Sequence, residues 1–414
     1  MKPISSWGRL THANHAIQDL TRRTPLHTQL QNKACGIAYG MGRSYGDVCL
    51  NPDGLLWKTT TLDRFISFNQ KTGVLRCEAG VLLQTIQQLF MPQGWMLPVT
   101  PGTQYVTIGG AIANDVHGKN HHHAGSFGNH LHQIELIRTN GEIILCGPNQ
   151  QPEWFSATIG GLGLTGMITS AEIQLQRVKT PWINTETVPF DSLSDFFQLA
   201  DDSEENWEYT VSWIDCFSKQ TTRGLFMRGN ASETNPPHKI QKKSNQLHLP
   251  VNLPSFCLNP LSLKAFNSLY FNLKKNQPKQ QLTHYESFFY PLDNIQHWNR
   301  MYGKKGFYQY QCVIPREMGY DAIDAMLQEI SKAAEGSFLA VLKTFGKRAS
   351  LGMLSFPCEG VTLALDFPNK NQKTQRLFER LDKIVAESNG RIYPAKDARM
   401  PKALFKTGYP RHSE

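Results

Sequence analysis

Three glycine-rich segments in the N-terminal half of the chain have the residue types and spacing that best predict chemistry. They cover residues 38–48, 98–129 and 158–168, and the second contains a Gly109-Gly110 pair followed by a polar exit. Glycines let a backbone lie close to a large ligand and present its N–H groups to oxygen atoms. We therefore predict that the three segments fold together around one elongated, phosphate-bearing ligand.

The glycine spacing in residues 38–48 distinguishes this loop from a Rossmann fingerprint. Its glycines stand at 40, 42 and 46, whereas the Rossmann pattern places the third glycine one residue earlier and continues directly into a helix. Residues 47–52 instead have the composition of a loop. The pattern therefore predicts a pyrophosphate-binding loop in a fold of another kind.

The size and charge of the chain limit the classes of function. Its 414 residues are enough for a large core and predict two domains. A net charge of +9 favours an anionic partner, such as nucleic acid, a phosphate-bearing substrate or an anionic membrane surface. No stripe of Arg and Lys is interleaved with stacking aromatics, so we do not expect a nucleic-acid partner.

Cysteine usage and hydropathy indicate the compartment. The eight cysteines are scattered and show neither zinc nor redox spacing, which predicts reduced thiols in a cytosolic protein. The N-terminal residues carry no apolar segment typical of a secretory signal, and no run approaches the ~18 apolar residues of a spanning helix. We therefore expect a cytoplasmic protein that is soluble or peripheral at the inner membrane.

Hydrophobic periodicity predicts a change of architecture near residue 180, where the glycine segments end. Before this point we predict a helix over residues 82–90, a hairpin over 131–145 around Asn140-Gly141, and a strand over 168–178. After it we predict strands over 209–213, 307–314, 338–344 and 361–367 and helices over 320–334 and 374–388.

Residues 234–285 form a basic segment with seven lysines and no acidic residue. The segment is also rich in Pro and Asn and contains short apolar islands. Two interpretations remain open. It is either a mobile insertion with a solvated basic face, or a basic and apolar flap at an anionic membrane surface, where each lysine adds ~1 kcal/mol of binding free energy.

Three groups of residues carry a family resemblance. They are residues 42–47, the segment 98–129 with its His-Gly-Lys-Asn-His motif, and residues 393–399 with the Tyr-Pro-Arg motif that follows them. Together they resemble the decaprenylphosphoryl-β-D-ribose 2′-oxidase family. That family belongs to the vanillyl-alcohol-oxidase-type FAD enzymes. The resemblance is dense over about 34–178 and 307–411 and thin between these regions.

The resemblance implies an α+β fold with two domains. A vanillyl-alcohol-oxidase-type (PCMH-like) FAD-binding domain would cover residues 1–180, rejoined by 391–414. A substrate-binding domain built on an antiparallel sheet would cover residues 181–390. Family members usually continue well past the Tyr-Pro-Arg motif, so a C-terminal element of the FAD domain is expected to be missing from this chain, which stops at Glu414.

The same resemblance implies non-covalent FAD and assigns its contacts. Many related enzymes attach FAD through a histidine in the first glycine loop, where this chain has Ser44-Tyr45, so we expect no covalent bond. The implied cofactor contacts are Ala38, Tyr39, Gly40, Met41, Gly42, Arg43, Ser44, Tyr45, Gly46, Asp47, Val48, Gly102, Thr107, Ile108, Gly109, Gly110, Asn114, Asp115, Val116, His117, Ile168 and Tyr393.

Lys396 is implied to lie beside the flavin and the reacting carbon, where an amine can stabilise developing negative charge. Oxidising a secondary sugar hydroxyl needs a hydride acceptor, a group that takes the hydroxyl proton, and positive charge for a substrate phosphate. The resemblance assigns further catalytic positions to Tyr45, Lys119, Lys343 and Gln311. Lys343 stands in an apolar strand, where an unpaired lysine is costly; an edge lysine that extends its amine to solvent is the alternative.

Gln309, Thr362 and Ala364 match the substrate pocket of the family. Actinobacterial members have a cysteine at the position of Ala364, so nitroaromatic inhibitors that trap that thiol are not expected to do so here. Cys358 is not expected to replace it. An asparagine is expected where this chain has Thr362, which predicts a change in pocket polarity and leaves the exact sugar and lipid open.

His117 and His121 stand four residues apart, a spacing that a metal site can use. Gly118 and Gly125 argue against a helix that would hold this spacing, and no nearby carboxylate or cysteine completes a site, so we predict no metal. The resemblance assigns His117 to the flavin instead. Residues 121–123 are predicted to form a polar loop.

The resemblance implies an FAD-dependent oxidoreductase that converts the 2′-hydroxyl of a polyprenyl-phosphate pentose to a 2′-keto intermediate for epimerisation in cell-envelope polysaccharide synthesis. A separate NAD(P)H-dependent short-chain reductase would complete the epimerisation, and a quinone or oxygen would reoxidise the flavin. Two alternatives stay open. One is an FAD-dependent alditol or aldonolactone oxidase of free sugars, and the other is a non-catalytic FAD-binding adaptor.

Overall fold

The N-terminal half begins with a small mixed sheet. The computed structural model describes residues 2–21, 24–30, 36–217, 222–236, 247–254 and 257–414. The elements of this first part are β1 (Lys2–Ile4), β2 (Ala13–Asp19), α1 (Leu26–Leu30), β3 (Gly36–Tyr39) and β4 (Leu55–Lys58). β1 pairs antiparallel with β2, and β4 lies parallel between β2 and β3. The first glycine segment is thus part of the connection from β3 to β4.

A five-stranded antiparallel sheet holds the other two glycine segments. The elements here are β5 (Phe65–Phe68), β6 (Val74–Glu78), α2 (Leu83–Phe90), β7 (Trp95–Met96), α3 (Ile108–Ala113), α4 (His121–Ala124), β8 (Leu131–Ile137), β9 (Ile143–Cys146), α5 (Pro152–Thr158), β10 (Met167–Gln174) and β11 (Gln176–Arg177). The strand order is β5-β6-β10-β8-β9. Ile108 and Ile112 of α3 are fully buried in the core of this sheet, which fixes the second glycine segment against it.

An eight-stranded antiparallel sheet organises the C-terminal half. Its strands in spatial order are β16 (Gln280–His284), β12 (Trp182–Phe190), β14 (Gly224–Ala231), β13 (Tyr209–Ile214), β19 (Ala340–Phe345), β20 (Gly360–Pro368), β18 (Phe307–Ile314) and β21 (Arg391–Ile392). The other elements are α6 (Leu193–Ser203), β15 (Leu247–His248), α7 (Pro260–Lys275), α8 (Tyr285–Phe289), β17 (Ile295–Gln296), α9 (Arg316–Lys332), α10 (Gln372–Glu387) and α11 (Lys402–Gly408).

The two faces of the eight-stranded sheet have different surroundings. Successive residues of a strand point to opposite faces. Leu363 and Leu365 of β20 point to the face that packs with α6, α9 and α10 in the largest hydrophobic core. Thr362 and Ala364 alternate with them and line an internal cavity on the other face. One face therefore stabilises the fold, and the other is available to a ligand.

The C-terminal segment contacts both halves of the molecule. β21 extends the eight-stranded sheet beside β18, and Leu404 of α11 is buried in the core of that sheet. The turn after β21 reaches the first glycine segment, where the Tyr45 N–H donates to the Ala395 carbonyl at 3.0 Å. The domain division predicted from the sequence assigns all of residues 391–414 to the FAD domain. The observed packing differs, because β21 is a strand of the eight-stranded sheet and α11 packs against the core of that sheet.

The basic segment over residues 234–285 contains regular structure. β16 pairs with β12 over five residue pairs and forms an edge of the eight-stranded sheet. Phe271 of α7 packs with Trp213 and Leu225 of that sheet. Residues 237–246, which include three of the seven lysines, lie outside the described residues. The described part is therefore built into the C-terminal half rather than forming a separate insertion.

Several predicted elements are confirmed, and one local prediction is wrong. β8 and β9 form the hairpin around Asn140-Gly141, and α2 corresponds to the helix predicted over residues 82–90. Residues 121–123, predicted as a polar loop, instead belong to the single helical turn α4, and His121 is buried. None of the helices in the described residues combines the length and the apolar character needed to cross a membrane.

Candidate active site

A large internal cavity lies between the glycine segments and the eight-stranded sheet. Its volume is about 950 Å³, at the upper end of the range for ligand sites. Lining residues from 38–48, 102–117 and 162–168 form one side, here called the glycine wall. Lining residues of β12–β14, β16 and β18–β20 form the other side, here called the sheet wall. The predicted convergence of the three glycine segments is thereby confirmed.

The first glycine segment presents backbone to the cavity. Gly42 has a φ of +59°, in the left-handed region that favours glycine. The backbone N–H groups of Met41, Gly42, Arg43 and Ser44 have no acceptor within the described part of the chain, and all these residues line the cavity. Consecutive N–H groups of this kind form a concavity that binds anions. This part of the glycine wall therefore fits a phosphate group.

Gly40 and Thr107 bring the first two glycine segments together. A Cβ atom at Gly40 would lie 2.6 Å from Thr107 Oγ1, so this approach requires glycine. Thr107 also caps α3, because its hydroxyl accepts the Gly110 N–H at 3.1 Å. At the other end of α3, Asn114 Oδ1 is buried without a partner among the described residues. A buried acceptor needs a donor, so this atom indicates a polar ligand in the cavity.

The third glycine segment contributes strained backbone to the same wall. Leu162, Gly163 and Gly166 have φ values of +57°, +80° and +150°, and all three line the cavity. Ile168, at the start of β10 and one of the implied cofactor contacts, also lines the cavity. Left-handed backbone is costly for residues other than glycine, so the conformation at Leu162 marks a local constraint at the ligand site.

Five of the implied cofactor contacts do not line the cavity. Ile108 is fully buried in the core, and Asp47 is exposed at the surface. Gly46 packs against the Asp397 carbonyl, and the Tyr39 hydroxyl lies beside Gly42, where each limits the space for a side chain. These residues shape the loops behind the wall.

Asp115 is the fifth implied cofactor contact that does not line the cavity, and its hydrogen bonds stabilise the fold instead. It is fully buried and accepts hydrogen bonds from the Gly128 N–H at 2.8 Å and from Ser355 Oγ at 2.5 Å. Burial raises the pKa of Asp115 above its usual value, whereas these hydrogen bonds lower it. Asp115 therefore joins the end of α3 to the β19–β20 connection.

Lys396 lies where the two walls meet. Its Nζ is 3.7 Å from the centroid of the Tyr45 ring. Burial lowers the pKa of Lys396 to about 7, and the charge of Asp366 opposes this shift. Asp366 accepts a hydrogen bond from Gln309 Nε2 at 2.6 Å and one from the Tyr302 hydroxyl at 3.4 Å. The amine can therefore exchange a proton near neutral pH.

Lys119 and Lys343 add two further amines to the cavity. Lys343 Nζ donates to the Gly118 carbonyl at 2.9 Å, and Lys119 Nζ donates to the Phe288 carbonyl and lies 4.4 Å from the centre of its ring. Burial lowers the pKa of Lys119 to about 7, and burial with the charges of Lys119 and Lys396 lowers the pKa of Lys343 to about 7. A ligand with negative charge would raise these pKa values and keep the amines protonated.

His117 and Gln311 connect the two walls. Gln311 Nε2 donates to His117 Nε2 at 3.1 Å, and the same nitrogen lies 3.3 Å from Thr362 Oγ1. Burial, followed by the charges of Lys343, His121 and Lys396, lowers the pKa of His117 well below its usual value, so the ring is neutral. With Nε2 as acceptor, Nδ1 carries the proton. His117 Nδ1 is buried without a partner among the described residues, so it offers an N–H to a ligand.

Ala364 and the other substrate-pocket positions lie side by side on the sheet wall. Ala364 pairs with Gln311 across β20 and β18, and Thr362 pairs with Lys343 across β20 and β19. Gln309 also lines the cavity, two residues before Gln311 on the same face of β18. The structure therefore brings together all eight predicted catalytic and substrate-pocket residues, and each of them lines the cavity.

Sequence reasoning missed several residues of the site. Asp366 is followed by Phe367 and Pro368 in the sequence, but nothing in the sequence pairs it with Lys396. Asp293 accepts the Gln104 N–H at 2.9 Å, so a turn of the C-terminal half covers the second glycine segment. Trp7 also lines the cavity, and the centroid of its ring lies 4.4 Å from Arg43 Cζ. In the sequence, Trp7 is far from any glycine segment.

A branch of the cavity far from the glycine wall was also missed. It runs between α7 and the sheet and is lined by apolar residues of β13 and β14 and by polar residues of β12 and β16. These lining residues include Val211, Trp213, Leu225, Met227, Thr185, Thr187, Gln281 and Thr283. The residues that line this branch are alternate positions of four separate strands, so no local sequence motif predicts it.

Within the described ranges, no group of three or more His, Cys, Asp and Glu side chains could hold a metal ion. Seven cysteines in these ranges are unpaired, and Cys35 lies outside them. Of the unpaired cysteines, Cys49 lines the cavity, and burial raises the pKa of its thiol to about 12.

Comparison with known sequences places these features in a wider group. Residues 27–147 match the family of FAD binding domains. The chain is 37% identical to decaprenylphosphoryl-β-D-ribose oxidase of Mycolicibacterium smegmatis over 391 residues, which are 91% of this chain and 84% of that protein.

More distant relatives match a smaller share of the chain. Cytokinin dehydrogenase 8 of Oryza sativa subsp. indica is 31% identical over 139 residues, which are 33% of this chain and 26% of that protein. A putative D-arabinono-1,4-lactone oxidase of Neurospora crassa is 28% identical over 130 residues, which are 31% of this chain and 23% of that protein. These two matches each cover about a third of the chain, whereas the match to the mycobacterial oxidase covers 91% of it.

Proposed function

Because the chain belongs to the decaprenylphosphoryl-β-D-ribose oxidase family of FAD-dependent oxidoreductases, we propose that it oxidises the 2′-hydroxyl of a polyprenyl-phosphate pentose to a 2′-ketone. One observation carries this proposal: a single cavity joins a wall of glycine backbone to the three lysines Lys119, Lys343 and Lys396. The backbone side fits the FAD pyrophosphate, and the lysine side fits a second, phosphate-bearing molecule.

The FAD would be held by the glycine wall. Backbone N–H groups of residues 41–44 would bind its phosphate oxygens, and the left-handed backbone at Gly42 gives them their orientation. The buried His117 Nδ1 and Asn114 Oδ1, which have no partner among the described residues, would pair with polar atoms of the isoalloxazine ring. Hydride acceptance is the chemistry that FAD supplies when bound.

Lys396 would take the proton of the substrate hydroxyl. In the reaction the C2′–H bond breaks and its hydrogen leaves with two electrons, the O–H proton passes to Lys396 Nζ, and a C=O bond forms. Burial lowers the pKa of Lys396 to about 7, so a substantial fraction of the amine is neutral and can accept this proton near pH 7. The nearby Asp366 would then stabilise the ammonium ion that results.

Lys119 and Lys343 would bind the substrate phosphate. Both amines are surrounded by protein and hydrogen-bond to backbone carbonyls, which do not neutralise their charge. A phosphate group between them would supply the missing negative charge and offset the cost of burying two cations. This arrangement would also select against free sugars, which carry no charge.

Non-covalent FAD is part of this proposal. The first glycine segment, 38–48, contains no histidine. Cys49 lines the cavity nearby, but its thiol is held protonated because burial raises its pKa to about 12, and the thiolate is the reactive form of cysteine. Acid precipitation of the yellow protein is expected to release FAD into the supernatant and leave a colourless pellet.

The proposed reaction needs two partners. A 2′-ketone becomes the epimeric alcohol only if a second enzyme returns a hydride to the opposite face of C2′, which is the work of an NAD(P)H-dependent short-chain reductase. A quinone or oxygen must reoxidise the FAD. Because the substrate carries a polyprenyl chain, peripheral contact with a membrane also belongs to the proposal.

An anaerobic reduction screen tests the proposal. The FAD-loaded protein is mixed without oxygen with polyprenyl-phosphoryl ribose, with the matching arabinose lipid, and with free ribose, alditols and aldonolactones. We expect the flavin absorption band to bleach with the lipid-linked ribose and to persist with the uncharged sugars. Bleaching by free sugars, with hydrogen peroxide formed in air, would instead identify an oxidase of free sugars. A band that no substrate bleaches would contradict the proposal.

A further inference from the structure

The helix α7 has two faces with opposite surroundings. Leu263, Asn267 and Phe271, spaced four residues apart, are buried against the C-terminal half. Asn267 Nδ2 donates to Asp215 Oδ1 at 3.0 Å and to the Ser337 carbonyl at 3.2 Å, which fixes the rotation of the helix. The opposite face is therefore held in one orientation toward the outside.

That outer face is largely apolar, with Ser262 and Asn272 as its polar members. Leu261, Leu269 and Leu273 are 81%, 59% and 60% exposed, and Phe266 is 47% exposed. With Ala265, which is also exposed, these residues occupy one continuous stripe, because positions four apart lie above one another on a helix. We call these five residues the outer stripe of α7. Contiguous exposed apolar surface of this kind marks an interaction site.

The surroundings of the outer stripe are positively charged. Lys264 and Lys275 lie along one edge of the stripe at 100° per residue, and Lys279 follows the helix. No Asp or Glu occurs between residues 234 and 285. An apolar stripe with a lysine border is the pattern of a helix that lies in the headgroup region of an anionic bilayer.

The inner edge of α7 belongs to the candidate active site. Tyr270 and Lys274 line the cavity, together with Gln281 and Thr283 of the edge strand β16. One cavity is thus lined both by the amines of the active site and by the inner edge of the helix that carries the outer stripe. A long apolar substrate chain could follow the branch of the cavity under α7 because residues such as Trp213 line it.

We propose that the outer stripe of α7 lies in the surface of an anionic lipid bilayer, and that the lipid-linked substrate enters the cavity from the bilayer beneath α7. The second part rests on the proposed function; the first does not. The apolar stripe inserts among the acyl chains, while the lysines at its border contact anionic headgroups. A second protein would need a matching acidic and apolar surface, and the lysine border supplies no acidic residue for a self-complementary contact with another copy of this chain.

Vesicle binding of the FAD-loaded protein tests the apolar part of the proposal. The protein is sedimented with vesicles of phosphatidylglycerol and phosphatidylcholine. The double variant Leu269→Gln/Leu273→Gln is expected to bind roughly a hundredfold less tightly, about tenfold for each leucine. Leu89→Gln on α2, where the side chain is 45% exposed, is the matched control and should bind like the wild type.

A second set of variants tests the charged part. Lys264→Glu and Lys275→Glu are each expected to weaken binding at least about fivefold, and high salt should remove the difference from the wild type. Lys383→Glu on α10, at a lysine that is 75% exposed, is the control and should leave binding unchanged. Vesicles of phosphatidylcholine alone should bind the wild type weakly.

The possible outcomes separate this inference from the proposed function. Loss of vesicle binding in the leucine variants, with unchanged bleaching by a short-chain substrate in detergent, supports docking through α7. No binding of the wild type to anionic vesicles overturns the docking, even if a detergent-solubilised substrate bleaches the flavin. A change in oligomeric state of the leucine variants, without a change in vesicle binding, identifies the stripe as a contact between copies and also overturns it. Vesicle binding without bleaching by any lipid-linked pentose leaves the docking in place and removes the proposed substrate.

Discussion

The glycine wall of the cavity is made of backbone, whereas the sheet wall opposite it is made of side chains. Residues 41–44 offer backbone N–H groups, and the neighbouring side chains leave no room for a Cβ atom at Gly40 or Gly42. The sheet wall offers amines, amides and apolar groups from alternating positions of paired strands. The first wall should therefore be sensitive to added atoms, and the second to groups that are removed.

Removing the amine at the junction of the walls is expected to have the largest effect. Lys396→Ala should slow anaerobic bleaching by the lipid-linked substrate by about 10²–10⁴-fold, the contribution typical of a positioned acid or base. FAD binding should remain, because the N–H groups of the glycine wall are unchanged. Stopped-flow absorbance with the FAD-loaded variant measures this rate.

The exposed Lys383 supplies the control for Lys396. Lys383→Ala removes an amine that is 75% exposed and far from the cavity lining, so its bleaching rate should equal that of the wild type. Equal rates in Lys396→Ala and the wild type would show that the amine takes no part in the reaction.

Adding one methyl group to the glycine wall is expected to affect the cofactor instead. The Cβ of Gly40→Ala would lie 2.6 Å from Thr107 Oγ1, so the first two glycine segments must move apart. FAD affinity should fall by about 10- to 100-fold, which corresponds to roughly 1–3 kcal/mol of overpacking. Fluorescence titration of the apoprotein with FAD measures the change.

A second substitution separates crowding from other causes. In a Thr107→Ala background, the hydroxyl at 2.6 Å and the methyl at 3.2 Å are gone, and the nearest remaining atom is the Thr107 Cβ at 3.5 Å. Gly40→Ala should then cost much less affinity than it does alone. An equal cost in both backgrounds would mean that contact with Thr107 does not explain the requirement for glycine.

The pH dependence should follow the amine at the junction of the walls. Lys396 must be neutral to accept a proton, so the bleaching rate at saturating substrate should rise with pH through its pKa, which burial lowers to about 7, and fall about tenfold per pH unit below it. Saturating substrate is used because the bound phosphate keeps Lys119 and Lys343 protonated. The charge of Asp366 raises this pKa, so Asp366→Asn should move the midpoint to lower pH. A midpoint that stays in place would exclude Lys396 as the titrating group.

A change on the sheet wall that removes no functional group should have the smallest effect. Ala364→Cys adds a thiol opposite Gln311. Turnover should change by less than about threefold, because one sulfur atom replaces no contact of the substrate with an amine. The new thiol should react with a small electrophile that enters the cavity and should gain mass in the intact protein. Labelling of the wild type at the same rate would point to Cys49, which already lines the cavity.

The contrast between the walls also explains what could be predicted from the sequence. Glycine requirements are local, so the run at 38–48 and the pair Gly109-Gly110 identified the glycine wall directly. Helices and strands with clear periodicity, such as α2 and the β8–β9 hairpin, were predicted for the same reason. Family resemblance assigned Lys119, Lys343 and Lys396 to the pocket. Of these, only Lys343, which stands in an apolar strand, has a local sequence that distinguishes it from a surface lysine.

The remaining features depend on contacts between distant residues. Asp366 approaches Lys396 only because β20 and β18 pair in one register and β21 then leads into the turn at residues 393–396. The branch under α7 forms only because alternate side chains of the neighbouring strands β12–β14 and β16 point to the same face of the sheet. His121 is buried in α4 through its contact with Phe345, whose ring lies 4.5 Å away, so its polar sequence context was misleading.

One labelled substrate tests the central claim, that the cavity places C2′ of a lipid-linked pentose beside FAD and Lys396. Polyprenyl-phosphoryl ribose that carries deuterium at C2′ is added without oxygen to the FAD-loaded protein for a single turnover. We expect the flavin band to bleach and the recovered product to be a ketone that has lost the deuterium. A product that keeps its deuterium, or a band that does not bleach, would contradict the account.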